Sequence, residues 1–195
     1  MLYILPVNNK YMNSVSYVIH SDNSNYCILI DCGEYETIAP VIANIGKDVR
    51  AVLLTHGHSD HIMGLQKLLE DYPDLVVYAT KEGHEELKDP RKNLSLYHEM
   101  PFSITGYNSF VIQDGLTLHF LNIADIEPIA TPGHDSSCIT YKVEKNLFTG
   151  DSYIPGIKVF TKFPRSNKEQ AIASRIKIEA MEYDGYRIYC GHHDY

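Results

Sequence analysis

The chain has 195 residues, of which 44% are hydrophobic and 22% charged, and its formal net charge is −8 at pH 7. This length fits one globular domain, residues 1–195, whose core needs no disulfide, and an acidic chain without a cluster of Lys and Arg argues against a nucleic-acid groove. No apolar run approaches the roughly 18 residues of a membrane span, and the N-terminus lacks the basic and apolar regions of a signal peptide. We therefore expect a cytoplasmic protein with no membrane contact, and the oligomeric state stays open.

Short apolar segments between turn residues predict the first strands. Residues 2–7, 15–20 and 26–30 have this pattern and suggest an antiparallel meander. The third segment runs into Asp31-Cys32-Gly33, and residues 34–45 then have the pattern of a helix. Asp31 is either a helix-entry residue or a carboxylate that orients metal-ligating side chains, and both interpretations remain open from the residues alone.

The most informative stretch is Thr55-His56-Gly57-His58-Ser59-Asp60-His61, between a predicted strand at 49–54 and a predicted helix at 62–70. Residues two apart face the same way at a strand end, so His56 and His58 can converge on one cation. The turn into the helix lets Asp60 and His61 point towards a second cation. Imidazole and carboxylate are ligands that suit zinc, iron or manganese.

The middle of the chain predicts a strand at 75–79 and a helix at 81–88, so this sheet should be mixed. Residues 89–108 are irregular and indicate an ordered loop that lies near a site. His84 and His98 are isolated in sequence, as are His20 and His119. Such histidines are typical of a surface or of a hydrogen-bonded core position.

Four further strands are predicted at 116–121, 126–130, 139–143 and 146–149, followed by a helix at 168–183 and a strand at 186–190. His134, Asp151 and His192 each follow a glycine at the end of a predicted strand. Each alone could be a turn residue. Together with the first cluster they make five His and two Asp. Two zinc-like ions need about four ligand positions each, with one supplied by solvent, and seven side chains meet this requirement if one carboxylate bridges the two ions.

These motifs resemble those of the metallo-β-lactamase superfamily, and the resemblance extends from Asp31 to His192. It implies a first metal held by His56, His58 and His134, a second held by Asp60, His61 and His192, and Asp151 as the bridge. His193 could replace His192 through a shift of one residue, although Gly191-His192 matches the family pair better. The implied fold is α/β (α+β), a four-layer αβ/βα sandwich with two packed mixed sheets and the metals at one edge.

Differences from the motifs of individual branches indicate which branch of the superfamily this sequence resembles. Asp151 stands where the β-lactamases usually have Cys, and His58 stands where flavodiiron proteins have Glu. The closest likeness is to the glyoxalase II (hydroxyacylglutathione hydrolase) branch, through Thr131-Pro132-Gly133-His134, Gly150-Asp151-Ser152, Tyr189-Cys190-Gly191-His192 and Asn93-Leu94-Ser95. Because the sequence stops three residues after His192, we expect the helical C-terminal domain that supplies glutathione contacts to be missing, so the substrate is not carried over with the fold.

The resemblance implies a binuclear metal-dependent hydrolase in which a metal-bridging hydroxide attacks an ester or thioester of a small molecule. The cofactors would be two divalent ions, zinc first and iron or manganese as alternatives. Asp60 would orient the hydroxide and Asp151 would hold both ions, which makes them the catalytic carboxylates. Candidate substrate contacts are Tyr153, Lys158 and Lys162. Tyr153 could instead be a wall residue of the site, and the two lysines could be solvated loop residues.

Two other functions stay open at this point. A mononuclear iron persulfide dioxygenase would use His56, His134 and Asp151 as a facial triad. A metal-binding protein without turnover is the third hypothesis.

Overall fold

The computed structural model describes residues 1–98 and 100–193. The strands are β1 Leu2–Asn8, β2 Val15–Ser21, β3 Tyr26–Ile30, β4 Asp48–Leu53, β5 Val76–Ala79, β6 Asn108–Val111, β7 Leu118–Phe120, β8 Ala124–Ala130, β9 Ile139–Val143, β10 Asn146–Gly150 and β11 Arg187–Cys190. The helices are α1 Tyr35–Ile45, α2 Ser59–Ile62, α3 Leu65–Asp71, α4 Lys81–Lys88 and α5 Lys168–Tyr183, with a 3₁₀ turn at Ser95–Tyr97. The predicted elements occur within a few residues of their expected bounds, with two differences.

The first difference is a break in the helix predicted at 62–70. The structure has two short helices instead, α2 and α3, separated at Met63 and Gly64. A Cβ on Gly64 would lie 2.6 Å from the carbonyl oxygen of Gly33, and the Gly64 amide donates to the carbonyl of Cys32 at 3.2 Å. The glycine therefore lets the chain after β4 pack directly against the chain after β3, at the cost of a continuous helix.

The second difference is β6, which the sequence pattern does not predict. All four of its residues are exposed, so it has none of the alternation that marks a half-buried strand. It pairs in parallel with β5 and forms the edge of the first sheet.

Both sheets are mixed. The first has the order β1-β2-β3-β4-β5-β6, with antiparallel pairs up to β3 and parallel pairs from β3 onwards. The second has the order β11-β10-β9-β8-β7, in which only β10 and β11 are parallel neighbours. The connection from β3 to β4 passes through α1, as a parallel pair requires.

Alternation along the strands shows how the layers stack. Leu29 of β3 belongs to an apolar cluster with Ile38 of α1, whereas Ile28 points to the other face and packs in a cluster with Phe148 of β10. Leu147, the neighbour of Phe148, faces α5 in a third cluster. The order is therefore helices, sheet, sheet, helix, which confirms the predicted four-layer sandwich. Among the described residues, no helix has both the length and the apolar character needed to cross a membrane.

The strand directions collect particular loops at one edge of the sandwich. β8 and β10 both pair antiparallel with β9, so they run the same way, and β11 runs parallel to β10. The segments that follow β8, β10 and β11 in the second sheet therefore lie together. The segment that follows β4 of the first sheet joins them, since the Ile139 amide donates to the Thr55 carbonyl at 2.9 Å.

Candidate metal centre

Seven polar side chains from both sheets meet at this edge. They are His56, His58, Asp60 and His61 after β4, His134 after β8, Asp151 after β10 and His192 after β11. Six are at most 5% exposed, and the Asp151 side chain is 11% exposed. Their donor atoms form three groups, each within 4.8 Å: His56 with His58 and His134, His56 with His61 and Asp151, and Asp60 with His61 and His192. Every ligand expected from the sequence thus lies in one buried cluster.

One end of the cluster consists of three imidazoles. His58 Nδ1 lies 3.1 Å from His134 Nε2, and the rings of His56 and His58 are 4.5 Å apart between centroids. The His-x-His pair therefore converges, as the two-residue period of an extended chain predicts.

The other end combines two imidazoles and a carboxylate, and Asp151 lies between the ends. His192 Nε2 is 3.3 Å from both His61 Nε2 and Asp60 Oδ2. Asp151 Oδ2 lies 3.2 Å from His192 Nε2 and 3.4 Å from His134 Nε2. Its other oxygen, Oδ1, is 3.4 Å from His61 Nε2. Asp151 is therefore the carboxylate within reach of both ends.

Three of the five imidazoles are held by hydrogen bonds on the side that faces away from the cluster. These bonds run from His61 Nδ1 to Asp31 Oδ2 at 2.8 Å, from His134 Nδ1 to the Phe160 carbonyl at 3.0 Å, and from His192 Nδ1 to the Met12 carbonyl at 2.9 Å. A ring that donates through Nδ1 presents the Nε2 lone pair on its other side. This arrangement fixes the tautomer that binds a metal ion.

The spacing of the donors fits first-row metal ions. Two nitrogens bound to a tetrahedral zinc at about 2.0–2.1 Å are separated by about 3.3 Å. Six neighbouring N···N and N···O pairs in the cluster are 3.1–3.5 Å apart, and the donors of each group of three lie within 4.8 Å of one another. Among the described residues, His56 Nε2 and Asp151 Oδ1 are buried without a hydrogen-bond partner, which is costly unless a cation is bound. The residues present therefore fit two divalent ions.

Asp31 supports the cluster from beneath. Its Oδ1 accepts from the Thr55 amide, and its Oδ2 accepts from both the Thr55 hydroxyl and His61 Nδ1, at 2.7–2.8 Å. The Thr55 hydroxyl in turn lies 3.1 Å from His56 Nδ1. One carboxylate thus orients two of the imidazoles, which agrees with the orienting role and not with that of a helix cap, because α1 begins only at Tyr35.

The cluster has uneven proton affinities. Burial lowers the pKa of His56 well below its usual value, and burial likewise lowers the pKa of His134. Burial alone would also lower the pKa of His61, but Asp60 and Asp151 outweigh it and raise the pKa well above the usual value. A cation that binds at this end must therefore displace protons.

His192, and not His193, is the imidazole in the cluster. The His193 amide donates to the Asn13 carbonyl, while His192 Nε2 faces the two carboxylates. A Cβ on Gly191 would overlap Asp151 Oδ1, so glycine is required for this approach of β11 to the cluster.

Three charged residues that the sequence analysis did not predict lie beside the cluster. Asp135 Oδ2 is 3.6 Å from His58 Nε2, on the side of the ring that faces away from His134. Arg165 Nη2 lies 3.0 Å from Asp135 Oδ1 and 2.6 Å from Glu86 Oε1, the latter an ion pair without hydrogen-bond alignment. Glu86 is fully buried, and its Oε2 accepts from the amide of Gly57 at 2.6 Å. This buried network, Glu86, Arg165 and Asp135, contacts both loops that present the three-imidazole end. The one feature of the sequence that could have pointed to this network is the position of Asp135 directly after His134.

A cavity of about 640 Å³ opens onto the cluster. It is lined by His58, Asp60, His134, Asp151 and His192 and by residues of two loops, 94–98 and 154–164. The first loop falls in the segment 89–108 that the sequence predicts to lie near a site, and the second contains Lys158, a predicted substrate contact. Lys158 lines the cavity as predicted, and so does His98, which the sequence analysis assigned to the surface or core.

The other two candidate substrate contacts are not among the wall residues. The Tyr153 ring packs under α5 with Ile178, and its hydroxyl donates to Glu182 Oε2 at 2.8 Å. Lys162 is exposed and does not line the cavity. The prediction that these two side chains face the substrate is therefore corrected. Tyr153 follows a turn at 151–152, so the alternation that would place it beside Asp151 does not continue through it.

Comparisons with known proteins give a consistent match. A family model described as the metallo-beta-lactamase superfamily matches residues 11–192. The chain is 35% identical over 132 residues to a hydroxyacylglutathione hydrolase of Erwinia tasmaniensis, a match that covers 68% of this chain and 44% of that protein. It is 32% identical over 180 residues to one of Klebsiella pneumoniae, covering 90% of this chain and 60% of that protein. The chain thus spans about half the length of the curated relatives it matches.

Solved structures share the architecture. The structure of the BLEG-1 B3 metallo-beta-lactamase has a TM-score of 0.85 at 20% identity, with 100% of this chain and 92% of that chain covered. TTHA1623 in a di-iron-bound form has a TM-score of 0.80 at 21% identity, with 97% and 92% covered. ETHE1 from Myxococcus xanthus has a TM-score of 0.78 at 21% identity, with 99% and 76% covered. At these identities the likeness shows a common fold.

Proposed function

The chain belongs to the metallo-beta-lactamase superfamily, and from this premise we propose that it is a binuclear metal-dependent hydrolase of ester or thioester bonds. The observation that carries the proposal is the cluster of seven donor residues, of which three imidazoles, those of His61, His134 and His192, are fixed from outside in the metal-binding tautomer. The curated relatives named hydroxyacylglutathione hydrolase support hydrolysis of a thioester or ester. A neighbouring fold described in a di-iron-bound form supports two ions.

The ligands divide into two sets. His56, His58 and His134 would hold one ion, Asp60, His61 and His192 would hold the other, and Asp151 would contact both. The positions of the two Asp151 oxygens, within 3.4 Å of imidazole nitrogens from both ends, support the bridge. Zinc is the first candidate, and iron or manganese also suit these donors.

The reaction consumes one water. Divalent ions held by these residues would lower the pKa of a water in the site and would polarise the substrate carbonyl. The water oxygen forms a bond to the carbonyl carbon, the C–S or C–O bond breaks, and the leaving thiolate or alkoxide takes up a proton.

The protein's own residues orient these groups. Asp60 lines the cavity and can accept a hydrogen bond from the attacking water. This hydrogen bond would direct a lone pair of the water oxygen towards the substrate carbonyl.

The rival functions make different demands on the site. An iron persulfide dioxygenase would need only His56, His134 and Asp151, and would leave four buried donors without a use. A metal-binding protein without turnover would not need a cavity of about 640 Å³ open to the ligands. Hydrolysis therefore accounts for more of the site than either alternative.

Metal analysis joined to two activity assays tests the proposal. Purified protein should contain close to two first-row ions per chain and should hydrolyse thioesters without consuming oxygen. Asp151→Ala should lose more metal than His61→Ala, because Asp151 contacts both ions. His119→Ala, whose side chain is 73% exposed and lies outside the cluster, is the control and should retain both ions. Oxygen uptake with a persulfide substrate, or a single ion with no second on titration, would reject the binuclear hydrolase.

A further inference from the structure

The cavity walls differ in chemistry from the metal cluster that they surround. Twelve residues line the cavity outside the seven ligands, and nine of these have apolar or aromatic side chains. The main apolar contributors are Met12, Leu94, Ile154, Ile157, Phe160 and Phe163. Among the described residues, Lys158 is the single Lys or Arg in the wall, and no carboxylate outside the cluster lines it. A wall of this kind binds apolar groups, and its polar side chains outside the cluster are few, among them Lys158 and His98.

Two of these apolar side chains are presented by unfavourable backbone. Leu94 has φ 66° and Met12 has φ 53°, in the left-handed region that non-glycine residues rarely adopt. Such conformations persist where the surroundings enforce them, and they concentrate at functional sites.

The surroundings of both residues explain how the strain is held. Asn93 is fully buried, its carbonyl accepts from the Ser59 amide at 2.8 Å, and its side chain accepts from the Ser95 amide at 2.9 Å. The Met12 carbonyl accepts from His192. The contacts that constrain these two apolar residues thus come from the metal-ligand loops themselves.

The second loop of the wall is tied to the cluster as well. The Phe160 carbonyl accepts from His134, the Ser166 hydroxyl donates to the His134 carbonyl, and the Asn167 amide donates to the Gly133 carbonyl at 2.8 Å. The apolar wall is therefore a fixed part of the site. A preformed wall contributes binding energy without an ordering cost at the moment of binding.

We infer that the substrate is an acyl thioester or ester whose acyl chain is apolar and of medium length, and that this chain lies along the wall formed by residues 154–163, Leu94 and Met12. This inference rests on the proposed hydrolysis and names the substrate class of the same site. Lys158 can meet one anionic group at the far end of the substrate. Glutathione, with two carboxylates and an ammonium group, finds too few charged partners in this wall, so its thioesters are poor substrates.

A homologous thioester series tests the inference with metal-loaded protein. The substrates are acetyl, butanoyl, hexanoyl and octanoyl thioesters of N-acetylcysteamine, an uncharged thiol, with S-lactoylglutathione as the polar comparison. Each two-carbon extension should raise kcat/KM by about tenfold while the chain remains against the wall. Binding of the corresponding amides, which resist hydrolysis, is measured in parallel and should tighten with chain length.

A pair of variants locates the effect. Ile157→Asn puts a polar group in the wall and should lower the octanoyl-to-acetyl ratio of kcat/KM by at least tenfold. Ile172→Asn is the control, because Ile172 is 51% exposed on α5 and does not line the cavity, and it should leave this ratio unchanged.

The outcomes separate the two proposals. Hydrolysis of all the thioesters without dependence on chain length, or a higher kcat/KM for S-lactoylglutathione than for the octanoyl thioester, would overturn the inference and leave the hydrolase intact. If no thioester is hydrolysed but the octanoyl amide binds more tightly than the acetyl amide, the proposed reaction is wrong and the apolar substrate class stands. Amide binding that does not change with chain length overturns the inference whatever the turnover.

Discussion

Replacement of Arg165 by Met tests whether the buried network beside the cluster stabilises the fold. The variant keeps a long side chain but leaves the Glu86 and Asp135 carboxylates buried without their cation. Loss of one partner of a buried ion pair costs about 3–5 kcal/mol. Because the Arg165 side chain is 22% exposed, we expect the lower end, about 3 kcal/mol, or roughly 6–12 °C in Tm for a chain of this size.

The loss should depend on pH. Burial, with the neighbouring Asp135, already raises the pKa of Glu86 well above its usual value, and Arg165 opposes that rise. Without Arg165 the folded-state pKa of Glu86 rises further, so the folded state binds a proton more readily than the unfolded state. Stability then falls as the pH rises towards the folded-state pKa. The variant should therefore lose less at pH 6 than at pH 8.

Urea unfolding of metal-free protein, followed by circular dichroism because the chain has no Trp, measures the effect without a contribution from bound ions. Arg175→Met is the matched control. Arg175 pairs with Glu179 one helical turn away, and the two side chains are 51% and 38% exposed. Water screens an exposed pair of this kind, so its loss should change the stability little. Equal losses in the two variants would refute the argument that the buried network stabilises the protein.

Three further predictions concern the same region. Gly57→Ala should cost about 1–3 kcal/mol in urea unfolding, because the new Cβ overlaps the Glu86 side chain, including its Cβ, and an equal cost in a Glu86→Gly background would contradict this cause. Metal affinity should rise with pH through the raised pKa values of His61 and His192, with proton release visible by calorimetry in buffers of different ionisation enthalpy, and a constant affinity between pH 6 and 9 would contradict it. Native thiols should react slowly with iodoacetamide at pH 8, since burial raises the pKa of Cys27 to about 12, and Cys190, which is only half-buried, should react first. Urea-unfolded protein is the control, and equally fast labelling of Cys27 in the native protein would contradict the last prediction.

Much of the fold and of the metal cluster could be predicted because the signals are local. The strand period places His56 and His58 on one side, and a polar residue after a strand marks the edge where strands end. β6 could not be predicted, because all four of its side chains are exposed and lack the alternation of a half-buried strand. Gly64 breaks the predicted helix through a contact with Gly33, which is 31 positions away.

The buried network was missed for a related reason. Glu86 and Arg165 are far apart in sequence, and a single Glu on a helix or Arg in a loop is ordinarily a solvated residue. Only the packing of α4 beneath the loop at Gly57 buries Glu86 completely and gives it a function. Tyr153 was misplaced because a turn separates it from Asp151. Local sequence patterns thus predict which side chains are the metal-binding donors, whereas the contacts that hold those side chains in place arise from tertiary packing.

The division of the ligands between the two sheets has a consequence for how this edge of the sandwich is held together. The first sheet contributes His56, His58, Asp60 and His61, and the second contributes His134, Asp151 and His192. Among the described residues, each of the three donor groups combines side chains after β4 with one from the second sheet, and the most distant ligands are separated by 136 positions. A metal ion held by donors of both sheets would link them across this edge of the sandwich. Deuterium exchange at this edge should therefore be faster in metal-free protein than in metal-loaded protein, and equal rates would contradict this consequence.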